Sequence, residues 1–218
     1  MKTVLIRKIR FKHIIMARYI TSILFFLLLS SVVDAQDDII VKYSNSPMDK
    51  NLYEVLDFEN ITVAELYFSG ECLRGKSYII TLEEFRDGNS IGTYCLFNGT
   101  EDTIFKIREN YETIKFYFKL SEAKLKMMIR GYFFTSKKKY RKLYSDSDLY
   151  AVKDFFGSND EYKINLSNNN ALFAIITPTV HLDGTSSYCE VVQSNIKPEN
   201  LGKVYSIPHY FIVRISFI

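Results

Sequence analysis

The densest run of chemically active side chains is Lys137-Lys138-Lys139-Tyr140-Arg141-Lys142, with Tyr144 just beyond it. Cations interleaved with tyrosine rings can meet phosphate or an acidic glycan while the rings stack on sugars or bases. A solvated hairpin loop, partly neutralised by Asp146, Asp148 and Asp154, has the same composition. The second feature is His181-x-Asp183-Gly184, just after the apolar run 171–176. A histidine held by a carboxylate can serve as a general base, and loops after strands often carry active sites. Ser186 and Ser187 lie near in sequence, but no Gly-x-Ser-x-Gly elbow makes either a nucleophile. His209, beside Pro208, reads as structural.

Other motifs match by spelling only. Ser121-x-x-Lys124 and Ser194-x-x-Lys197 lack the helix and partner motifs of the penicillin-binding pattern. Asp146-Ser147-Asp148 starts like a calcium loop but lacks its later glycine and glutamate. No phosphate-binding glycine loop, dinucleotide fingerprint or His-Glu-x-x-His is present. Cys72, Cys95 and Cys189 are dispersed singly, unlike zinc ligands. Buried thiols, or one disulfide with a free thiol, both fit their odd count. No metal and no cofactor is expected. A non-catalytic module is favoured over an enzyme, with a hydrolase at His181 and Asp183 as the alternative.

Period-2 alternation dominates the elements that must position these groups. Ile114, Phe116, Phe118 and Leu120 share one strand face, with Lys115, Tyr117 and Lys119 on the other. After the turn Ser121-Glu122-Ala123, alternation resumes from Lys124 to Phe134, with Leu125, Met127, Ile129 and Phe133 inward and Lys124, Lys126 and Arg130 outward. This predicts an antiparallel hairpin with one wet face, since a strand buried on both sides would not carry that row of lysines. Runs 77–85 and 91–97 flank the turn Asp87-Gly88-Asn89, and Phe211, Val213, Ile215 and Phe217 alternate again. Ala171 to Ile176 is continuously apolar and reads as a central strand. Weaker strands are expected at 39–43, 61–68, 103–107, 162–166 and 188–192. Short helices are expected at 49–56 and 147–156, the latter with a Ser147 cap and a buried stripe of Leu149, Val152 and Phe156. The fold class is therefore all-β, an antiparallel β-sandwich with one or two short helices, with α+β as the alternative. An outer-membrane β-barrel is a minor alternative, disfavoured because the runs are shorter than the ~9–11 residues a spanning strand needs.

The N-terminal region points to export. Lys2, Arg7, Lys8, Arg10, Lys12 and Arg18 precede the apolar run 23–29, and Val33-Asp34-Ala35 offers a small-x-small cleavage site. Residues 1–35 are read as a cleaved signal peptide, with Met1 or Met16 as the start, and 36–218 as one β-rich domain. The apolar run is too short for a spanning helix, so no transmembrane segment remains after cleavage. Taking 6 basic residues and one acid from totals of 28 and 25 leaves 22 and 24. The alkaline character belongs largely to the leader and gives no reason to expect nucleic acid as a partner.

In texture the chain resembles small exported proteins of unknown function from Gram-negative gut anaerobes. The likeness is carried by Asp34-Ala35-Gln36, the segment from Met48 to Glu59, Gly75 to Phe85 with its Asp-Gly-Asn, and the closing Tyr210 to Phe217. It implies a periplasmic or surface location; the lack of a complete catalytic set and the aromatic-basic segment 137–144 are what point to a glycan, envelope component or protein as partner. It carries no functional residue across.

Overall fold

The computed structural model describes residues 38–44, 49–180, 186–188 and 196–218. The proposed leader, His181, Asp183, Cys189 and most of the run 188–192 lie outside them. The order is β1 (Asp38–Tyr43), α1 (Lys50–Phe58), β2 (Ile61–Ser69), β3 (Tyr78–Arg86), β4 (Asn89–Asn98), β5 (Tyr111–Ser121), β6 (Lys124–Arg130), β7 (Lys139–Lys142), β8 (Ala151–Asp154), β9 (Glu161–Asn165), β10 (Asn170–Ile176), β11 (Thr179–Val180), β12 (Ser186–Ser187), α2 (Leu201–Val204) and β13 (His209–Phe217).

Two open antiparallel sheets form, β7-β6-β5-β2-β1-β9 and β4-β3-β13-β10-β8, with β11 and β12 as a separate small ladder. This is the all-β sandwich with short helices that the alternation implies. The β5–β6 hairpin pairs Ser121 with Lys124 across Glu122 and Ala123, both at positive φ. Two such central residues make the turn that matches strand twist. Neither is glycine, so the geometry is held from outside. The Ala123 N–H donates to Ser147 Oγ at 2.9 Å, and its carbonyl accepts from Leu143 N–H at 2.8 Å. Asp87 and Gly88 close β3 and β4 in the same way.

The main core lies between the sheets. Phe173 of β10 meets Phe116 and Phe118 of β5 edge-on at 5.1 and 5.4 Å. A second apolar cluster covers the other side of the second sheet, where Ala174, Ile176, Tyr210 and Ile212 meet Leu201 and Ile207. Both faces of β10 are therefore buried, which accounts for its unbroken apolar run. On that covered side, Arg214 of β13 donates to Glu83 at 3.0 Å, Glu199 at 2.7 Å and the Asn169 carbonyl at 3.2 Å.

Several expectations are corrected. The stretch 147–156 is a 3-10 turn at Ser147–Leu149 followed by β8, not a helix. Asp146 supplies the cap, Leu149 is 48% exposed, and Ala151 to Asp154 pair with β10. Thr103–Phe105 is a 3-10 turn capped by Asp102, not a strand. Phe133 lies beyond the end of β6 and is 43% exposed, while Phe134 stacks on Phe97 at 3.7 Å. Cys95 is free and exposed, not a buried thiol. The helix expected at 49–56 is present as α1, capped by the Asp49 carboxylate, though it buries no side chain. No helix among the described residues is long and apolar enough to cross a membrane.

Candidate functional site

Strand alternation divides the 137–144 segment between two places. In β7, Tyr140 is opposite Lys126 and Lys142 opposite Lys124, on the outer face of the six-stranded sheet. Arg141, opposite the buried Leu125, turns to the inner side. Lys137, Lys138 and Lys139 are exposed. Tyr144, past the end of the strand, is half-exposed.

On the outer face the cross-strand register stacks like charges. Lys115 is opposite Arg130, Lys119 opposite Lys126, and Lys124 opposite Lys142. Tyr117 and Tyr140 lie among them. Lys115 is paired to Glu65 at 3.4 Å and Lys119 to Glu59 at 2.7 Å. Among the described residues, no carboxylate lies within 4.0 Å of Lys124, Lys126, Arg130 or Lys142. Like charges directly opposite each other destabilise a sheet. An open groove of about 730 Å³ continues this face, lined by Lys115, Arg130, Arg108, Tyr111, Tyr132 and Phe133 together with the carboxylates of Glu65, Glu109 and Glu112. Tyr132 is 84% exposed, and Arg108 lies 4.6 Å from the Phe133 ring centre.

The inward half joins residues from distant strands. The Arg141 guanidinium lies 3.4 Å from the Tyr94 ring centre, and that of Arg86 lies 3.7 Å from the Tyr144 ring centre. Beneath them, Tyr150 Oη donates to His209 Nδ1 at 2.7 Å, and His209 Nε2–H donates to Glu84 Oε1 at 3.1 Å. Tyr94 Oη donates to Glu84 Oε2 at 3.1 Å. The Tyr144 ring meets the imidazole edge-on at 4.7 Å. His209 is 2% exposed, so this Glu–His–Tyr chain is sealed from solvent and acts as a polar brace across β3, β13 and the lead-in to β8 of the second sheet. The structural reading of His209 is thus given a partner set that Pro208 alone did not suggest. Glu84, Arg86, Tyr94 and Tyr150 carry no local motif; the pairing of β3 with β4 and β13 brings the first three to His209, and Tyr150 arrives from the segment leading into β8, which pairs with β10.

Burial holds the His209 imidazole below its ordinary titration range; Arg86 acts the same way, and the hydrogen bond and charge of Glu84 oppose it. The folded state therefore resists a proton that the unfolded chain accepts near pH ~6.5. Below that pH the unfolded state binds more protons, so stability falls as the pH drops toward the depressed folded value. Each unit of depression is equivalent to about 1.4 kcal/mol. Thermal melts between pH 7.5 and 5 are expected to show this loss. The His209→Gln variant is expected to show a flatter dependence, and an unchanged slope would assign the titration to another group.

Among the described residues, no cluster of three or more His, Cys, Asp or Glu is placed to hold a metal ion. No family model, curated protein or solved structure matches the chain.

Proposed function

We propose that the chain is an exported, non-catalytic module that binds an acidic glycan of the cell envelope across the outer face of β5, β6 and β7. The observation that carries the reading is the three like-charge rungs, Lys115–Arg130, Lys119–Lys126 and Lys124–Lys142. Glu65 and Glu59 offset part of the charge in the first two rungs, but among the described residues the Lys124–Lys142 rung has no carboxylate beside it, so a sequence that keeps it gives up stability for something else. An extended polyanion laid across the rungs turns the repulsion into attraction at every step. Tyr117 and Tyr140 supply ring faces between the charges, and the aromatic groove beyond Arg130 extends the same track. Of the residues singled out in the sequence, Tyr140 and Lys142 belong to this surface, and the exposed Lys137, Lys138 and Lys139 adjoin it.

The sealed Glu84–His209 pair offers no reachable base, which favours binding over turnover. The basic N-terminal stretch followed by the apolar run 23–29 supports a periplasmic or surface location, where acidic polysaccharides occur.

The test is the double variant Lys124→Glu/Lys126→Glu, titrated calorimetrically with a uronic-acid oligosaccharide and with a neutral oligosaccharide of equal length. The wild type is expected to prefer the acidic chain, with affinity falling as salt rises. The double variant is expected to lose about tenfold or more of that affinity. It is also expected to melt higher than the wild type, because each replacement turns a like-charge rung into an opposite-charge one. Equal affinity for neutral and acidic chains would overturn the proposal, as would tighter binding to single-stranded DNA of the same charge.

A further inference from the structure

We propose that Arg86 and Arg141 form a second, separate site for a compact oxyanion, a carboxylate, phosphate or sulfate group, at the open side of the sandwich. The two residues reach it from different sheets. Arg86 closes β3, and Arg141 is the inward-facing residue of β7. Each lays its guanidinium on a tyrosine ring, Arg86 on Tyr144 and Arg141 on Tyr94. The two rings flank the same buried pair: Tyr94 donates to Glu84, and Tyr144 packs on His209.

What distinguishes these cations is a buried Nε without a partner combined with the absence of a counter-charge. Among the described residues, neither guanidinium has a carboxylate within 4.0 Å. Glu84 is the acid nearest in the network, and its two oxygens are already engaged by His209 and Tyr94. The Nε atoms of both arginines are buried and have no hydrogen-bond partner. Arg141 has one acceptor, the Tyr140 carbonyl, for Nη1. An unsatisfied buried donor is costly, so a native structure that keeps two of them at one place calls for an acceptor. Lys142, with Nζ 5.5 Å from the Tyr144 ring centre, adds a third positive charge at the border with the outer face.

The chemistry of the ligand follows from the donors. A guanidinium presents its N–H groups in a flat fork that fits two oxygens of one anion. Stacking on a ring fixes that plane in advance, so less freedom is lost on binding. Two forks at one opening suit a group with several oxygens on one centre. A small rotation of each side chain on its ring would bring Nε–H into a side-on contact with such a group. The inference does not rest on the outer-face reading, since Arg86, Arg141, Tyr94 and Tyr144 are not on that face.

The test follows the arginine side-chain 15Nε–H resonances of the protein by NMR during titration with inorganic phosphate, glucuronate, glucose 6-phosphate and glucose, all at constant ionic strength. Saturable shifts of the Arg86 and Arg141 signals are expected for the three anions, with an apparent Kd on the order of a few millimolar. Glucose is expected to move neither. Tighter binding of the two sugar acids than of phosphate would identify the oxyanion as a substituent of a saccharide, and the reverse order a free ion. Arg86→Lys keeps the charge and loses the fork, and is expected to weaken the Arg141 response several-fold. Lys124→Glu/Lys126→Glu is expected to leave the titration in place, which separates this site from the outer face. Absence of saturable shifts at both arginines would overturn the inference, as would their loss in the Lys124→Glu/Lys126→Glu variant.

Discussion

Truncating Phe173 to alanine is expected to remove about 3–5 kcal/mol of stability, the range for emptying a well-packed aromatic site. The side chain is 1% exposed. It projects from β10 into the space between the sheets and meets Phe116 and Phe118 on the facing strand β5. Its removal leaves a hole bounded by two rigid sheets, which cannot collapse around it as a loop could. A domain of this size has roughly 5–15 kcal/mol in total, so the variant would retain a small margin. Urea unfolding at neutral pH measures the loss. Phe133→Ala, beyond the strand end, is the internal comparison and is expected to change stability by less than about 0.5 kcal/mol. A Phe173 effect near that of Phe133 would mean that the two sheets are not held by this contact.

The second large effect is expected at Arg214. Its guanidinium is almost wholly buried on the covered side of β13 and is held by Glu83, Glu199 and the Asn169 carbonyl. Removing one member of a buried pair leaves the other charge without compensation and costs about 3–5 kcal/mol. Glu199 is about half exposed and can return to water, so Arg214→Ala is expected near the lower end of that range. The loss falls mainly on Glu83, which keeps less than a fifth of its side chain in contact with solvent. A double-mutant cycle with Glu83→Ala is expected to show coupling above about 1 kcal/mol. Coupling of only a few tenths would show that Arg214 acts through the packing of its aliphatic stem.

Strand identity was legible wherever the side chains alternated cleanly. The β5–β6 hairpin, the β3–β4 hairpin and β13 follow directly from their rows of Phe, Ile and Leu and from the turn residues between them. The unbroken apolar run of β10 announced a strand covered on both sides. The segment 147–156 misled because Leu149, Val152 and Phe156 fall at helical spacing. What decides its state is pairing with β10, a long-range contact that overrides local pattern. The outward row of lysines could be read from β5 and β6 alone. The rung joining Lys124 to Lys142 needed the register of β7, which no sequence pattern supplies. The Arg86, Glu84, Tyr94 and His209 cluster was hidden for a similar reason, since His209 and Glu84 stand 125 positions apart.

The place of β13 bears on when the protein can acquire its shape. This strand lies between β3 and β10 and is the centre of the second sheet. Its partner β3 is made long before it, with Arg214 and Glu83 separated by 131 positions. Until the ribosome has released the stretch from His209 to Phe217, β3 and β10 face a gap where their common neighbour belongs. Ordering the intervening chain without that neighbour brings the entropic loss of long loops before the contacts that offset it. At ~5–20 residues emerging per second, the second sheet would thus stay unfinished for the whole interval between the synthesis of β3 and that of β13. Under the export proposed above, such a delay would keep the polypeptide threadable until translocation, with assembly of the sandwich left to the far side of the membrane.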